Sequence, residues 1–87
     1  MVVRLTREAL EYYVLTYLSI KDSYGAQIFE NFAPGINVSI TTLYDVLRTL
    51  EATGKITTVP VVQNGVWCNL CSITRVGKRH LKAFLRQ

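Results

Sequence analysis

Cys68 and Cys71 are the first residues to weigh for chemistry, because a CxxC pair has the spacing of metal sites and redox centres. Their surroundings, VWCNLCSI, are strand-forming. Positions i and i+3 of a regular strand point to opposite faces, so the two sulfurs cannot meet without a turn or bulge. There is no second cysteine pair, and the single histidine, His80, lies in a later helix-like stretch. A structural zinc ion wants four ligands. No metal or cofactor is therefore expected, the thiols read as reduced, and His80 reads as a surface or boundary side chain. The carboxylates are Glu8, Glu11, Asp22, Glu30, Asp45 and Glu51, and no two form a pair that the spacing places in a cleft. No glycine loop cradles a phosphate, and no nucleophile sits beside a base. The chain does not read as an enzyme.

A second kind of chemistry, hydrogen-bond recognition, is better provided. Residues 39–56, SITTLYDVLRTLEATGKI, read as a complete helix. Ser39 is placed to cap its first turn, and Gly54 to end it in a left-handed conformation, with Lys55 at the negative end. Ile40, Leu43, Leu47 and Leu50 recur at helical spacing as a buried stripe, with Val46 at its margin. The opposite side carries Thr41, Asp45 and Arg48, flanked by Thr42, Tyr44 and Thr49. A merely solvated face more often carries Lys and Glu. Short hydrogen-bonding side chains suit a helix that meets another polar surface, with the DNA major groove the leading candidate.

Composition is compatible with that reading. Eighty-seven residues make one domain (1–87) with a modest core. The hydrophobic fraction of 49% is high for so small a chain and leaves apolar surface over for a partner or a second copy. Net charge is +4, which permits nucleic-acid binding without proving it. Arg4 and Arg7 lie near the start, and Arg75, Lys78, Arg79, Lys82 and Arg86 crowd the end with no acid among them. No run has the length of a transmembrane helix and no signal peptide is visible, so a cytoplasmic protein with no membrane partner is expected.

The remaining elements fall on either side of this helix. Residues 6–20 form a first helix with Leu10, Tyr13, Val14, Tyr17 and Leu18 on one face. Tyr12 and Leu15 fall on the other side, read either as part-exposed singles or as a second packing surface for a partner. Lys21, Asp22 and Ser23 offer a cap for a second helix over residues 24–32, in which Gly25 would admit another backbone. Pro34-Gly35 is a turn signal, since proline presets one turn position and glycine supplies a positive φ at the next. Two helices joined by a short turn, the second polar-faced, make a helix-turn-helix pattern.

After Gly54 the period becomes extended. Residues 56–62 and 66–73 flank Gln63-Asn64-Gly65, and Asn-Gly favours a type I′ hairpin turn. That turn pairs Gln63 with Val66, Val62 with Trp67, Val61 with Cys68 and Ile56 with Ile73. Pro60 marks its strand as an edge. One face then collects Ile56, Thr58, Pro60, Val62, Trp67, Asn69, Cys71 and Ile73. The other collects Thr57, Val59, Val61, Gln63, Val66, Cys68, Leu70 and Ser72. Neither face is charged. A ribbon buries one face at most, so the second is expected to be a contact surface anchored by Trp67, and Leu70 is a further interface candidate. Thr74 caps a last, basic amphipathic helix with Val76, Leu81, Phe84 and Leu85 on its apolar side.

Helix, helix, recognition-type helix, two-stranded wing and C-terminal helix is the winged helix-turn-helix order, an α+β and mostly α class. Within it the chain resembles the PadR family of transcriptional regulators. TLYDVLRTLEATGKI (42–56) is similar to the family's leucine-tyrosine-bearing recognition helix followed by glycine and an aliphatic residue. SITRVGKRHL (72–81) is similar to its strand-to-helix signature, with glycine three residues after threonine. YYVLTYLSIKDSYGAQIFENF (12–32) is similar to its first two helices, including the tyrosine-glycine that opens the second. The resemblance implies a dimeric DNA-binding repressor, sometimes responsive to a small molecule, with Ser39, Thr41, Thr42, Tyr44 and Arg48 facing DNA.

Two departures from the family pattern bear on function. Family members usually continue into a longer C-terminal region that builds the dimer, whereas this sequence stops at Gln87. Dimerisation is then expected to use the first helix, the last helix or the wing, with Tyr12, Leu15, Trp67, Leu70 and Phe84 as interface candidates. Residues 56–74 also contain no Lys or Arg, so Gln63, Asn64 and backbone amides would have to meet phosphate at the wing. The expectation is a homodimeric regulator with helix 39–53 in the major groove. Ser39, Thr41, Thr42, Tyr44, Asp45, Arg48 and Asn64 would be on the DNA. The rival is a winged-helix module that captures a protein through its apolar wing and first helix.

Overall fold

The computed structural model describes residues 5–32 and 35–86. Arg4 and Pro34, named above, lie outside the described residues. The elements run α1 (Arg7–Ile20), β1 (Ser23–Tyr24), α2 (Gly25–Glu30), α3 (Ile40–Ala52), β2 (Ile56–Gln63), β3 (Val66–Ile73) and α4 (Arg75–Leu85).

Caps written into the sequence start the three longer helices. The hydroxyl oxygens of Thr6, Ser39 and Thr74 accept from the backbone N–H of Ala9, Thr42 and Gly77 respectively, each satisfying a free donor of a first turn. α3 ends as expected at Gly54, whose φ is 75°. There Gly54 N–H donates to the Glu51 carbonyl and Lys55 N–H to the Leu50 carbonyl, the paired bonds of a Schellman cap.

β2 and β3 form the hairpin in the predicted register, from Ile56↔Ile73 at the base to Gln63↔Val66 at the turn. Asn64 and Gly65 both have positive φ, 53° and 78°, as a type I′ turn requires. The sheet has a third strand that the hydrophobic pattern did not show. β1 pairs antiparallel with β3 (Ser23↔Cys71, Tyr24↔Leu70), giving the order β1-β3-β2 and leaving Pro60 on an edge strand. Ser23 therefore does not cap α2. Its side chain is buried with no hydrogen-bond partner among the described residues, and Tyr24 is the N-cap residue.

The core joins Leu10, Val14, Leu15 and Leu18 of α1 to Ile28, to Leu43, Val46, Leu47 and Leu50 of α3, and to Ile56, Cys71 and Leu81. Three sequence expectations need correction. Leu15 is not on a free side but fully buried, because α1 packs against α3, α4 and β3 and is covered on more than one side. Tyr13 and Tyr17 are only half-buried. In α3, Val46 is fully buried whereas Ile40 is 42% exposed. The inward direction of α3 lies between Val46 and Leu47, and Ile40 sits well round the helix from it in the first turn.

α4 docks tightly on the corner between α3 and β2. The Thr74 hydroxyl donates to the Gly54 carbonyl at 2.6 Å and the Thr74 N–H to the Lys55 carbonyl at 3.0 Å. A Cβ on Gly77 would lie 2.1 Å from that same Lys55 oxygen. Threonine followed three residues later by glycine thus has a physical reason: the first caps the helix, and the second lets it touch backbone. Val76 and Leu85, expected on the apolar side, are exposed; Gly77 and Leu81 are buried, and His80 and the part-exposed Phe84 stack on Tyr12 of α1.

Candidate nucleic-acid interface

α3 buries one side and presents the other. Thr41, Thr42, Tyr44 and Arg48 are exposed, and Asp45 is partly so. The Ser39 hydroxyl, besides capping, donates to the Thr42 hydroxyl at 2.8 Å, so these two residues set each other's rotamers. Asp45 and Arg48 form an ion pair one turn apart on the outer face. Exposed pairs of this kind add little stability. Their consequence is geometric, since the carboxylate holds the guanidinium along the helix surface. It also places a negative charge in the middle of the outer face.

Two flanks frame that face. On the α1 side, the Arg7 guanidinium donates to the Thr49 hydroxyl at 3.0 Å. On the wing side, the Thr58 hydroxyl of β2 donates to the Glu51 carboxylate at 2.5 Å, tying the wing to α3. Tyr44 and Asn69 line two neighbouring clefts. One lies between α3 and the wing, with Arg48, Glu51, Thr58 and Cys71, and the other reaches the start of α2, with Gly25, Trp67 and Cys68. Gly25 lies close to a side chain rather than to another backbone: a Cβ there would meet Tyr44 Cε1 at 2.7 Å. Arg7 and Thr49 were each visible in the sequence, as a basic residue near the start and a flank of the polar face, but nothing in the spacing showed that they bond to each other. Asn69 was visible in the strand alternation, as it shares a face with Trp67.

The wing residues are placed differently from expectation. Trp67 lies on the face that the core buries at its base through Ile56 and Cys71, not on the opposite one. It protrudes beyond that base, 73% exposed, on the side of Tyr44. Leu70 is half-buried on the other face, opposite Tyr24 of β1. Asn64 is exposed at the tip. Cys68 and Cys71 are both free, and burial, with the Glu51 charge second, pushes the Cys71 thiol up to about 11. Among the described residues, no group of three or more His, Cys, Asp or Glu is placed to hold a metal ion. No helix among them is long and apolar enough to cross a membrane.

A separate apolar groove of about 430 Å³ runs along α1 and the end of α4. Tyr12, Tyr17, Ile20 and Phe84 line it, with Leu5 and Ala9. Tyr12 stacks on Phe84, with ring centroids 3.8 Å apart, and on His80, 5.0 Å away. Of the five interface candidates, Tyr12 and Phe84 come together here. Leu15 is withdrawn into the core, and Trp67 and Leu70 are on the wing.

A capped helix with a free polar face, preceded by a short helix and followed by a hairpin and a closing helix, defines a winged helix-turn-helix protein. Solved structures narrow the class. The chain is 27% identical to smu.1704 of Streptococcus mutans, with a TM-score of 0.89 over 99% of this chain and 81% of that one. It is 27% identical to a PadR-family transcriptional regulator of Eggerthella lenta, with a TM-score of 0.83, covering 93% of this chain and 72% of that one. It also matches the fold of Bacillus subtilis PadR, solved in complex with operator DNA, at 23% identity and a TM-score of 0.77. That match covers 90% of this chain and 48% of that one. No protein-family model and no curated protein matches the sequence. The chain has the winged-helix fold of these PadR-family structures, and several of its structural neighbours are transcription regulators.

Proposed function

We propose that this chain is a winged-helix DNA-binding domain and a sequence-specific transcriptional regulator, acting as a homodimeric repressor in the cytoplasm. The observation that carries the reading is the outer face of α3. Thr41, Thr42, Tyr44, Asp45 and Arg48 stand clear of the core on a capped helix beside a wing. The operator-bound B. subtilis PadR supports the choice of duplex DNA as the surface this face meets.

In this reading α3 lies in the major groove, where donors and acceptors of each base pair are distinguishable. Arg48 and Tyr44 contact phosphate or base edges, while Thr41, Thr42 and Asp45 read locally. Ser39 contributes by fixing Thr42, and Asn64 meets the backbone at the wing tip. Asp45 repels phosphate, so its pairing with Arg48 makes the two residues one device: Arg48 neutralises the carboxylate that positions it.

The second copy seats on the α1–α4 groove through Tyr12 and Phe84. Ile20, largely exposed in the same groove, extends the apolar area available to it. Two α3 helices then enter successive major grooves about 34 Å apart.

Arg48→Ala tests the reading. With the helical circular dichroism unchanged, affinity for duplex DNA should fall by roughly tenfold, and the salt dependence should weaken by about one phosphate contact. Unchanged affinity would remove Arg48, and with it the assigned face, from the interface. Light scattering across protein concentration tests the dimer, which Tyr12→Glu should dissociate.

A further inference from the structure

We infer that Trp67, with Val62 paired across from it, is an apolar wedge by which the wing engages the minor groove of the duplex held by α3. The inference rests on the regulator reading above and departs from the expectation that Trp67 anchors a protein partner.

Four observations carry it. Trp67 lines the same cleft as Tyr44, so the indole lies beside the outer face of α3. At 73% exposure, Trp67 buries little against its own chain, and Val62 beside it is also exposed. The wing holds no Lys or Arg from Ile56 to Thr74, so charge neutralisation is not open to it as a grip. Finally, the ribbon is continuous: β2 and β3 pair without interruption up to a two-residue turn, and Thr58 bonds to Glu51 of α3 near the base. The indole is therefore carried on a paired strand rather than on a loop.

An indole suits that location chemically. Its faces pack on sugars or an opened base step, as apolar wedges do in the minor groove. Its one N–H is a donor, and the floor of an A·T minor groove offers only acceptors, whereas G·C adds an amino group that competes for the space. The wing should therefore prefer A·T pairs beside the α3 half-site and contribute affinity that salt does not screen.

Trp67 is the only tryptophan, so its emission reports on this residue alone. The experiment titrates the full chain with a fluorescein-labelled duplex from upstream of its coding sequence, and with a random duplex at low salt. DNA anisotropy and tryptophan emission are followed together. The expected result is a change in emission with the same midpoint as the anisotropy. Trp67→Ala should lose affinity roughly ten- to a hundredfold with an unchanged salt slope, and Trp67→Phe should recover part of it. Duplex binding with emission unchanged and Trp67→Ala equal to wild type would overturn the wedge while leaving the regulator intact. An emission blue shift that follows protein concentration without DNA, abolished with assembly in Trp67→Ala, would overturn it in favour of a wing-to-protein contact. Failure to bind either duplex would remove both the wedge and the regulator reading.

Discussion

Gly77→Ala should destabilise the protein although it replaces glycine by the best helix former. In an open first turn, Gly→Ala would be neutral or stabilise by up to about 1 kcal/mol. Here the new methyl would stand 2.1 Å from the Lys55 oxygen and 2.9 Å from Ile73 Cγ1. The first of these is backbone and cannot rotate away. Either α4 lifts off the α3–β2 corner or the corner moves, and both strain the bond from Thr74 N–H to the Lys55 carbonyl. Overpacking costs roughly 1–3 kcal/mol. Loss of the hydrogen bond costs roughly 0.5–1.5 kcal/mol more. Subtracting the propensity gain leaves a net loss of about 2 kcal/mol. With a urea dependence of roughly 1–2 kcal/mol per molar, the unfolding midpoint should drop by about 1–2 M with little change in slope. Equilibrium urea unfolding followed by far-ultraviolet circular dichroism measures this. A midpoint equal to or above wild type would refute the close docking of α4.

Gly25→Ala is a milder version of the same test. Its nearest obstacle is the ring of Tyr44, which is 40% exposed and free to turn, so stability should fall by about 1 kcal/mol or less while DNA affinity falls more. Comparing urea midpoints with duplex affinities for this variant separates the two effects. Ser23→Ala removes a buried hydroxyl with no partner among the described residues and should leave stability unchanged or raise it by about 1 kcal/mol, read from the same unfolding curves. Iodoacetamide at pH 8 should modify Cys68 well before Cys71, as mass spectrometry of peptides would show. Because burial raises the Cys71 pKa in the folded state to about 11, the unfolded chain ionises first as pH climbs through about 9. Folding stability should therefore decline between those values, a slope that Cys71→Ser should flatten.

Local signals were legible because they act locally. Asn64-Gly65 sets its own turn type, and the turn then dictates every pair of the β2–β3 ladder. Ser39, Gly54 and Thr74 work through bonds to residues three or four positions away. What escaped was decided by the other side of a contact. β1 is only Ser23–Tyr24, too short to show a period, and exists because β3 offers it a free edge. Leu15 looked like an outward residue because one helix was read against one core, whereas α1 is covered on several sides. The alternation put Trp67 correctly with Ile56, Cys71 and Ile73. That this face turns inward at the base and toward Tyr44 further out required the packing of the whole sheet. On α3 the outer residues were readable from spacing, but the Asp45–Arg48 pair, the Thr58–Glu51 tie and the Arg7–Thr49 bond come from side-chain geometry.

The central claim is that the polar face of α3 recognises duplex DNA. Its most direct test is fluorescence anisotropy of the purified chain with labelled duplex from upstream of its own coding sequence and with random duplex, over a range of salt. The account predicts tighter binding to the upstream duplex, with log affinity falling linearly in log salt and a slope equivalent to several phosphate contacts. Absence of binding to both duplexes at low salt would contradict it.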